Sequence, residues 1–137
     1  MEKQALNTLY HSVYNIHYHL VHVTKYRRRC ITKEMADYLS QQYARLLLSW
    51  DCELIQCDGE PDHLHLLISA NPKIQPSKMV NSLKTATSRL VRKEFSEHLK
   101  THYWKPVFYS RSYCLISCGG APLDIIKQYL EQQEGFD

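Results

Sequence analysis

The sequence lacks several features that define whole classes of proteins. It has only four glycines among 137 residues, and no GxxxxGK loop that would cradle a nucleotide phosphate. No segment approaches the run of about 20 apolar residues that a membrane-spanning helix requires. The first residues, Met1 to Gln4, carry no apolar signal segment. We therefore expect a cytoplasmic protein that uses no nucleotide cofactor and does not engage a membrane.

Paired cysteines are also missing. The five cysteines are an odd number and form no CxxC motif: Cys30, Cys52, Cys57, Cys114 and Cys118. This usage fits reduced cytosolic thiols better than a disulfide framework. A zinc site built from Cys57, His63 and His65 is conceivable. It is the weaker interpretation, because Cys57 has no second cysteine close in sequence.

A large excess of one sign of charge is also missing. The net charge of +3 does not by itself indicate a nucleic-acid-binding protein. The distribution of the cations is more informative. The run from Lys25 to Arg29 places four cations around Tyr26, and a second basic set follows on a predicted helix. Basic clusters interleaved with tyrosines favour a phosphate-binding surface over a solvated face. The candidate DNA contacts are Lys25, Arg27, Arg28 and Lys84, with Tyr26 and Tyr103 as candidates for base stacking.

Hydrophobic periodicity predicts one α+β domain over residues 1–137, with residues 1–12 as an N-terminal extension. Strands are predicted at Tyr14–Tyr26, Cys52–Cys57, His63–Ile68 and Tyr113–Ser117. A first helix is predicted at Thr32–Trp50, a second helix begins at a cap residue, Ser77, and a last helix covers residues 121–134. Asp58–Gly59 is a turn signal between the second and third strands. This order is that of the ferredoxin-like (RRM-like) fold: an antiparallel sheet with two helices on one face, here followed by a C-terminal helix.

The most informative stretch is a short apolar run that follows a Pro-Asp turn at Asp62 and begins with His63 and His65. Alternate side chains of a strand share a face, so the two imidazoles point the same way and the intervening leucines point the other. Two imidazoles on one face of a strand are a ready-made pair of metal ligands. Asp62 can hold one of them in a single tautomer, or simply complete the turn.

The C-terminal helix carries the second group of candidates. Tyr129 and Gln133 are four residues apart and therefore stack on one helix face. If both converge on His63 and His65, the Gln133 carboxamide completes a neutral set of three ligands, which leaves the cation its full charge to polarise a phosphodiester. A phenol, with an ordinary pKa of about 10, needs such a cation to act as a nucleophile at neutral pH.

Four stretches resemble the single-tyrosine HUH transposases of the IS200/IS605 insertion sequences, and together they span nearly the whole chain. They are Tyr18–Arg27, Pro61–Leu67, Ser82–Lys84 with Trp104 and Tyr113 following, and Tyr129–Gln133. An HxH pair alone is a weak signal. An HxH pair after Pro-Asp, combined with a tyrosine and a glutamine four residues apart in a terminal helix, is a specific one.

The resemblance implies that His63, His65 and Gln133 bind Mg²⁺ or Mn²⁺. It implies that Tyr129 attacks a DNA phosphate, leaving a 5′-phosphotyrosine and a free 3′-hydroxyl. The implied substrate is single-stranded DNA folded into hairpins at transposon ends, in a bacterial or archaeal cell, with the protein nucleoid-associated when active. The implied assembly is a homodimer in which the tyrosine helix can serve the partner's metal site, hinged at Gly119–Gly120.

Two alternatives stay open at this level. One is a domesticated relative that acts on repeated palindromes with the same chemistry, and the other is a non-catalytic nucleic-acid-binding module of the same fold. His17 and His19 form a second HxH pair on the first predicted strand. Because no Pro-Asp turn precedes that pair, we interpret it as structural or DNA-facing.

Overall fold

The structure, a computed structural model, describes residues 7–9, 12–117 and 122–132, with side chains for residues 13–117 and 127–132. The strands are β1 Asn7–Leu9, β2 Ser12–Tyr14, β3 Ile16–Thr24, β4 Glu53–Glu60, β5 His63–Ala70 and β6 Tyr109–Ser117, and the helices are α1 Lys33–Leu48, α2 Pro76–Glu94, α3 Ser96–Leu99 and α4 Pro122–Gln132. Lys25–Arg27 forms a short 3-10 turn after β3. None of the helices in these residues is long and apolar enough to cross a bilayer.

Strands β3 to β6 form one antiparallel sheet in the order β4-β5-β3-β6. With α1 and α2 between the strands, this is the ferredoxin-like arrangement, so the predicted fold is confirmed. β1 and β2 pair with each other in a small antiparallel sheet. β1 lies in the stretch that the sequence assigned to an extension, while β2 begins at its last residue, Ser12, and includes Tyr14, which was predicted to start the first strand of the main sheet.

The core lies between the sheet and helices α1 and α2. Every second residue of β5 is buried, an alternation that places Leu64, Leu66 and Ile68 on the core face and His63, His65 and Leu67 on the other. The fully buried side chains of this core include Leu20, Leu64, Leu66 and Ile68 from the sheet, with Met35, Leu39, Leu47, Met79 and Val80 from the helices. The other face of the sheet is left for the histidines.

Two local predictions were wrong, and each error has a simple reason. Ser77 does not cap α2: the helix begins at Pro76, whose fixed φ suits a first-turn position, with Gln75 as the N-cap residue. Gly59 is not in a turn, because β4 continues to Glu60. A Cβ on Gly59 would lie 2.6 Å from the Cβ of Ala36, so the glycine allows α1 to pack closely on β4.

A polar network is enclosed within the apolar core. His22 Nδ1 and the Tyr43 hydroxyl share a hydrogen bond of 2.5 Å, and that hydroxyl bonds the Tyr109 hydroxyl at 2.8 Å. Thr87 Oγ1 lies 3.1 Å from the Tyr109 hydroxyl and closes the network. His22 Nε2 is buried without a partner among the described residues. Burial, helped by the charge of Lys84, lowers the pKa of His22 to about 3.

This buried histidine predicts a steep loss of stability in mild acid. The unfolded chain binds a proton on His22 near pH 6.5 while the folded chain does not, so its contribution is complete above pH 6.5 and falls as pH decreases towards 3. Between pH 7.5 and pH 5 the wild type should lose about 2 kcal/mol more unfolding free energy than His22→Leu. Urea unfolding of both proteins at the two pH values measures this. Equal losses would show that His22 titrates normally in the folded protein.

Candidate active site

The HxH pair occupies the face of the sheet that α1 and α2 leave uncovered. In the antiparallel register, His63 stands opposite Val23 and His65 opposite Val21 on β3. On the other side, Glu60 and Asp58 of β4 stand opposite the same two histidines. Directly opposed residues point to one face, so two carboxylates flank the imidazoles. Both histidine side chains are partly accessible.

Asp62 fixes the orientation of His63. Its Oδ1 lies 2.8 Å from His63 Nδ1, and its Oδ2 accepts a hydrogen bond of 2.8 Å from Arg27 Nε. Burial would raise the pKa of this carboxyl, but the bonds from His63 and Arg27 outweigh that effect and hold the pKa below its ordinary value. The ionised carboxylate keeps the proton of His63 on Nδ1, which leaves the Nε2 lone pair for a ligand.

His65 is paired with a residue that the sequence did not assign to this site. His19 Nδ1 lies 2.7 Å from His65 Nε2, with the ring centroids 4.9 Å apart. Partial burial, together with the neighbouring His19, lowers the pKa of His65, while Asp58 acts in the opposite direction. A lowered pKa favours the neutral imidazole, which is the form that binds a metal. The second HxH pair thus contributes one histidine to the candidate site.

The helix that bears the tyrosine packs on the same face of the sheet. Tyr129 and Leu130 of α4 contact a small apolar cluster built on Val21 and Val23, which also includes Cys114 and Ile116. The Tyr129 hydroxyl shares a hydrogen bond of 2.8 Å with Ser112 Oγ on β6. Because β3 separates β6 from β5, Ser112 lies two strand spacings, about 10 Å, from the HxH strand.

The zinc alternative is wrong. Cys57 stands opposite Leu66, on the core side of the sheet, whereas His63 and His65 point to the other face. Four cysteines within the described residues are free thiols, as the sequence predicted. No group of three or more His, Cys, Asp or Glu suited to a metal occurs in the described parts of the chain.

Several predicted positions lie outside the described residues: Gln133, Cys118 and the Gly119–Gly120 joint. Their assignments stay predictions. Helix α4 covers most of the predicted segment 121–134 and ends, as described, at Gln132.

The predicted DNA contacts have protein partners in this structure. Arg27 bonds Asp62, Lys84 Nζ donates to the Arg111 carbonyl at 2.8 Å, and Lys25 is buried. Their roles with DNA stay predictions. Tyr103 is not available for stacking: it is 7% exposed and its hydroxyl donates to the Lys25 carbonyl at 2.7 Å.

Tyr26 instead belongs to an exposed group that we call the aromatic–cation surface: Tyr26, Arg28, Trp104 and Lys105. The Trp104 side chain is 86% exposed, and Tyr26 is 40% exposed. Lys105 Nζ lies 5.4 Å from the Tyr26 ring centroid and 5.3 Å from that of Trp104. Arg28 Cζ lies 5.6 Å from the Tyr26 centroid. The surface begins two residues after β3, at the same end of the sheet as His63.

The two carboxylates beside the histidines could have been predicted from the sequence by strand register. A two-residue turn at Pro61 and Asp62 places Glu60 opposite His63 and Asp58 opposite His65 in any regular hairpin. No comparable local signal existed for His19, whose partner is 46 residues away.

The fold and the site define a ferredoxin-like protein whose sheet carries an HxH pair and a tyrosine-bearing helix on one face. The family model described as "Transposase IS200 like" matches residues 12–133. The chain belongs to this family, whose members cleave and transfer DNA.

Individual proteins similar to this chain are also described as transposases. The ISDra2 transposase TnpA of Deinococcus radiodurans is 31% identical over 121 residues, covering 88% of this chain and 86% of the relative. The transposase for insertion sequence element IS200 of Salmonella typhimurium is 28% identical over 131 residues, covering 93% of this chain and 85% of the relative. A crystal structure of a Deinococcus radiodurans R1 protein described as a transposase aligns with a TM-score of 0.82 and 32% identity, over 97% of this chain and 98% of that one.

Proposed function

We propose that this transposase cleaves and rejoins single-stranded DNA at hairpin-bearing element ends, through a covalent bond between Tyr129 and a 5′-phosphate. The observation that carries the proposal is the placement of Tyr129 and the HxH pair on one face of the sheet, with His63 oriented by Asp62. A homodimer that acts in DNA transposition, with the tyrosine helix used in cis or in trans, is part of this proposal.

We propose Mg²⁺ or Mn²⁺ as the metal. His63 presents Nε2 because Asp62 engages Nδ1, and His65 would bind the metal through Nε2 in place of its hydrogen bond with His19. We assign His63, His65 and Gln133 as the protein ligands, with Asp62 as the residue that orients His63. When bound, the divalent cation supplies positive charge that polarises the scissile phosphodiester and favours the phenolate.

The residues of the chain would act as follows. The Tyr129 oxygen attacks phosphorus and loses its proton, and the bond from phosphorus to the 3′-oxygen breaks as that oxygen gains a proton. One phosphodiester replaces another, so its energy is retained and the strand can be rejoined without a nucleotide cofactor. The phenol bonds Ser112 on β6, one strand beyond β3, so a phosphate held by the HxH pair would meet it either by lying across β3 or after α4 shifts.

The aromatic–cation surface suits an unpaired strand. Flat exposed rings stack on bases only when those bases are not stacked in a duplex, while Arg28 and Lys105 face the phosphates. Its position at the HxH end of the sheet would lead a bound strand towards His63. We retain Lys25 and Lys84 as candidate phosphate contacts for the same strand.

Trp104→Ala should weaken binding of a single-stranded oligonucleotide by about 5- to 150-fold, because one base–aromatic stack contributes about 1–3 kcal/mol. The dependence of binding on salt should be unchanged, since no phosphate contact is lost. Fluorescence anisotropy over a salt series measures both quantities. Leu48→Ala, an equally apolar exposed position on α1, is the matched control. An unchanged affinity in Trp104→Ala would remove the stacking surface from the proposal.

The proposed chemistry is tested with hairpin-forming single strands from the flanks of the protein's own gene, labelled at either end. A protein–DNA adduct that survives denaturing electrophoresis should form with Mg²⁺ or Mn²⁺ and not with chelator. A 3′-label should travel with the protein, and a 5′-label should be released on a fragment that ends in a 3′-hydroxyl. Saturated binding with no adduct on any flank hairpin would instead favour a non-catalytic DNA-binding protein.

A further inference from the structure

One guanidinium connects the two halves of the candidate site. Arg27 Nε donates to Asp62 Oδ2 at 2.8 Å, and its Nη1 donates to the Leu130 carbonyl of α4 at 2.6 Å. Asp62 uses its other oxygen for His63 Nδ1. Leu130 follows Tyr129 directly in the chain. A continuous set of hydrogen bonds therefore runs from the proposed metal ligand to the backbone beside the proposed nucleophile.

The bond to Leu130 holds α4 through its backbone. A guanidinium that donates to a carbonyl makes a charge-assisted hydrogen bond, which is about twice as strong as a bond between neutral groups. Tyr129 and Leu130 also contact the apolar cluster on Val21 and Val23, so the bond from Arg27 adds to this packing in holding the helix on the sheet.

The backbone before this contact is held in an uncommon conformation. Tyr26 and Arg27 have φ values of 56° and 53°, in the left-handed region that side chains other than glycine rarely adopt. Hydrogen bonds fix the turn on both sides: Tyr103 donates to the Lys25 carbonyl, and Thr24 Oγ1 donates to the Arg28 carbonyl, each at 2.7 Å. Such strain persists where the surroundings enforce it, and here it accompanies an arginine that reaches both Asp62 and α4.

We infer that Arg27 is a positioning residue that couples metal binding at His63 to docking of the tyrosine helix. Its Nε holds the Asp62 carboxylate in place for His63, and its Nη1 holds α4 through Leu130. The two bonds leave different nitrogens of a rigid planar group, so displacement at one end disturbs the other. This role rests on the proposed function, and it replaces a DNA phosphate as the main partner of Arg27.

The test uses full-length protein without DNA, so that two readouts are independent of catalysis. In Arg27→Gln, backbone amide exchange within residues 122–132 should be faster by at least about 10-fold, while the sheet keeps its wild-type protection. Mn²⁺ affinity, measured by titration calorimetry, should fall about 10- to 100-fold, as is typical when a group that orients a ligand histidine is lost. Arg27→Lys should behave like Arg27→Gln, because one ammonium cannot reproduce the rigid fork.

Two further variants define the mechanism. Arg29→Gln removes a neighbouring exposed arginine and should leave both readouts unchanged. Asp62→Asn should weaken Mn²⁺ binding by itself, and adding Arg27→Gln should then cost little more, because both act through His63.

Three outcomes would overturn the inference. Unchanged exchange and Mn²⁺ affinity in Arg27→Gln, with weaker DNA binding that Arg27→Lys restores, would make Arg27 a phosphate contact. Faster exchange throughout the sheet would make it a general stabilising residue. Faster exchange in α4 with unaltered Mn²⁺ affinity would remove the coupling. Wild-type protein that binds no Mn²⁺ at all would instead count against the proposed function, and the exchange data would still report on the helix.

Discussion

Tyr129→Phe should abolish the covalent protein–DNA adduct, reducing strand cleavage by at least about 10³-fold. The substitution removes one oxygen, which is the proposed nucleophile and the partner of Ser112 Oγ. The ring stays in place, so its apolar contact with Val21 and Val23 persists. Binding of single-stranded DNA should therefore remain within about twofold of wild type. Denaturing electrophoresis of labelled oligonucleotides measures the adduct, and anisotropy measures the binding.

Tyr38→Phe is a matched control for this experiment. It removes a phenol oxygen from α1, where the ring packs edge-on against Phe95 on the far side of the sheet. Cleavage by this variant should equal that of wild type. Adduct formation by Tyr129→Phe at a normal rate would show that another residue is the nucleophile, whatever the family resemblance implies.

His63→Ala should reduce metal-dependent cleavage by more than about 100-fold, because a direct ligand is expected to matter more than the groups that orient it. The substitution also leaves Asp62 with Arg27 as its remaining side-chain partner. Raising the Mn²⁺ concentration should recover part of the activity if the loss is one of affinity. A metal titration of the cleavage rate, together with calorimetry, separates affinity from turnover.

His17→Ala is the control for loss of an imidazole on the same sheet. His17 belongs to the HxH pair of β3 and stands opposite Ser69, away from the row that contains His65. We expect its cleavage rate and metal affinity to match those of wild type. A loss as large in His17→Ala as in His63→Ala would mean that the face binds metal in an arrangement other than the one proposed.

The position of Tyr129 in this structure bears on how these results are interpreted. Its hydroxyl contacts β6, and β3 separates it from the HxH strand. Cleavage by Tyr129, as proposed, would therefore use a shift of α4 or a phosphate that lies between the two groups. In the proposed role of Arg27, its bond to Leu130 would limit such a shift.

Much of the fold followed from local patterns. The alternation in His63–Ala70 and the helical spacing in Lys33–Leu48 depend on periods of two and 3.6 residues, and both elements formed as predicted. The predicted ends of helices and strands were less accurate near Pro76, which begins a helix, and near Gly59, which allows a close helix contact. Gly59 reads as a turn signal, yet it lies in a strand because Ala36 of a distant helix packs against it.

The sequence by itself determined the family, the elements and the residue types of the site, because motif spacing and periodicity are properties of neighbouring residues. Only the tertiary structure decided which of these residues meet. In the folded chain His19 bonds His65, Cys57 packs against the core, and Tyr103 is buried. Arg27 bonds both Asp62 and the backbone of α4. The two contacts of Arg27 show how distant such partners are: Asp62 is 35 residues away in the sequence and Leu130 is 103 residues away. Such contacts depend on strand register and helix packing, which no local pattern specifies.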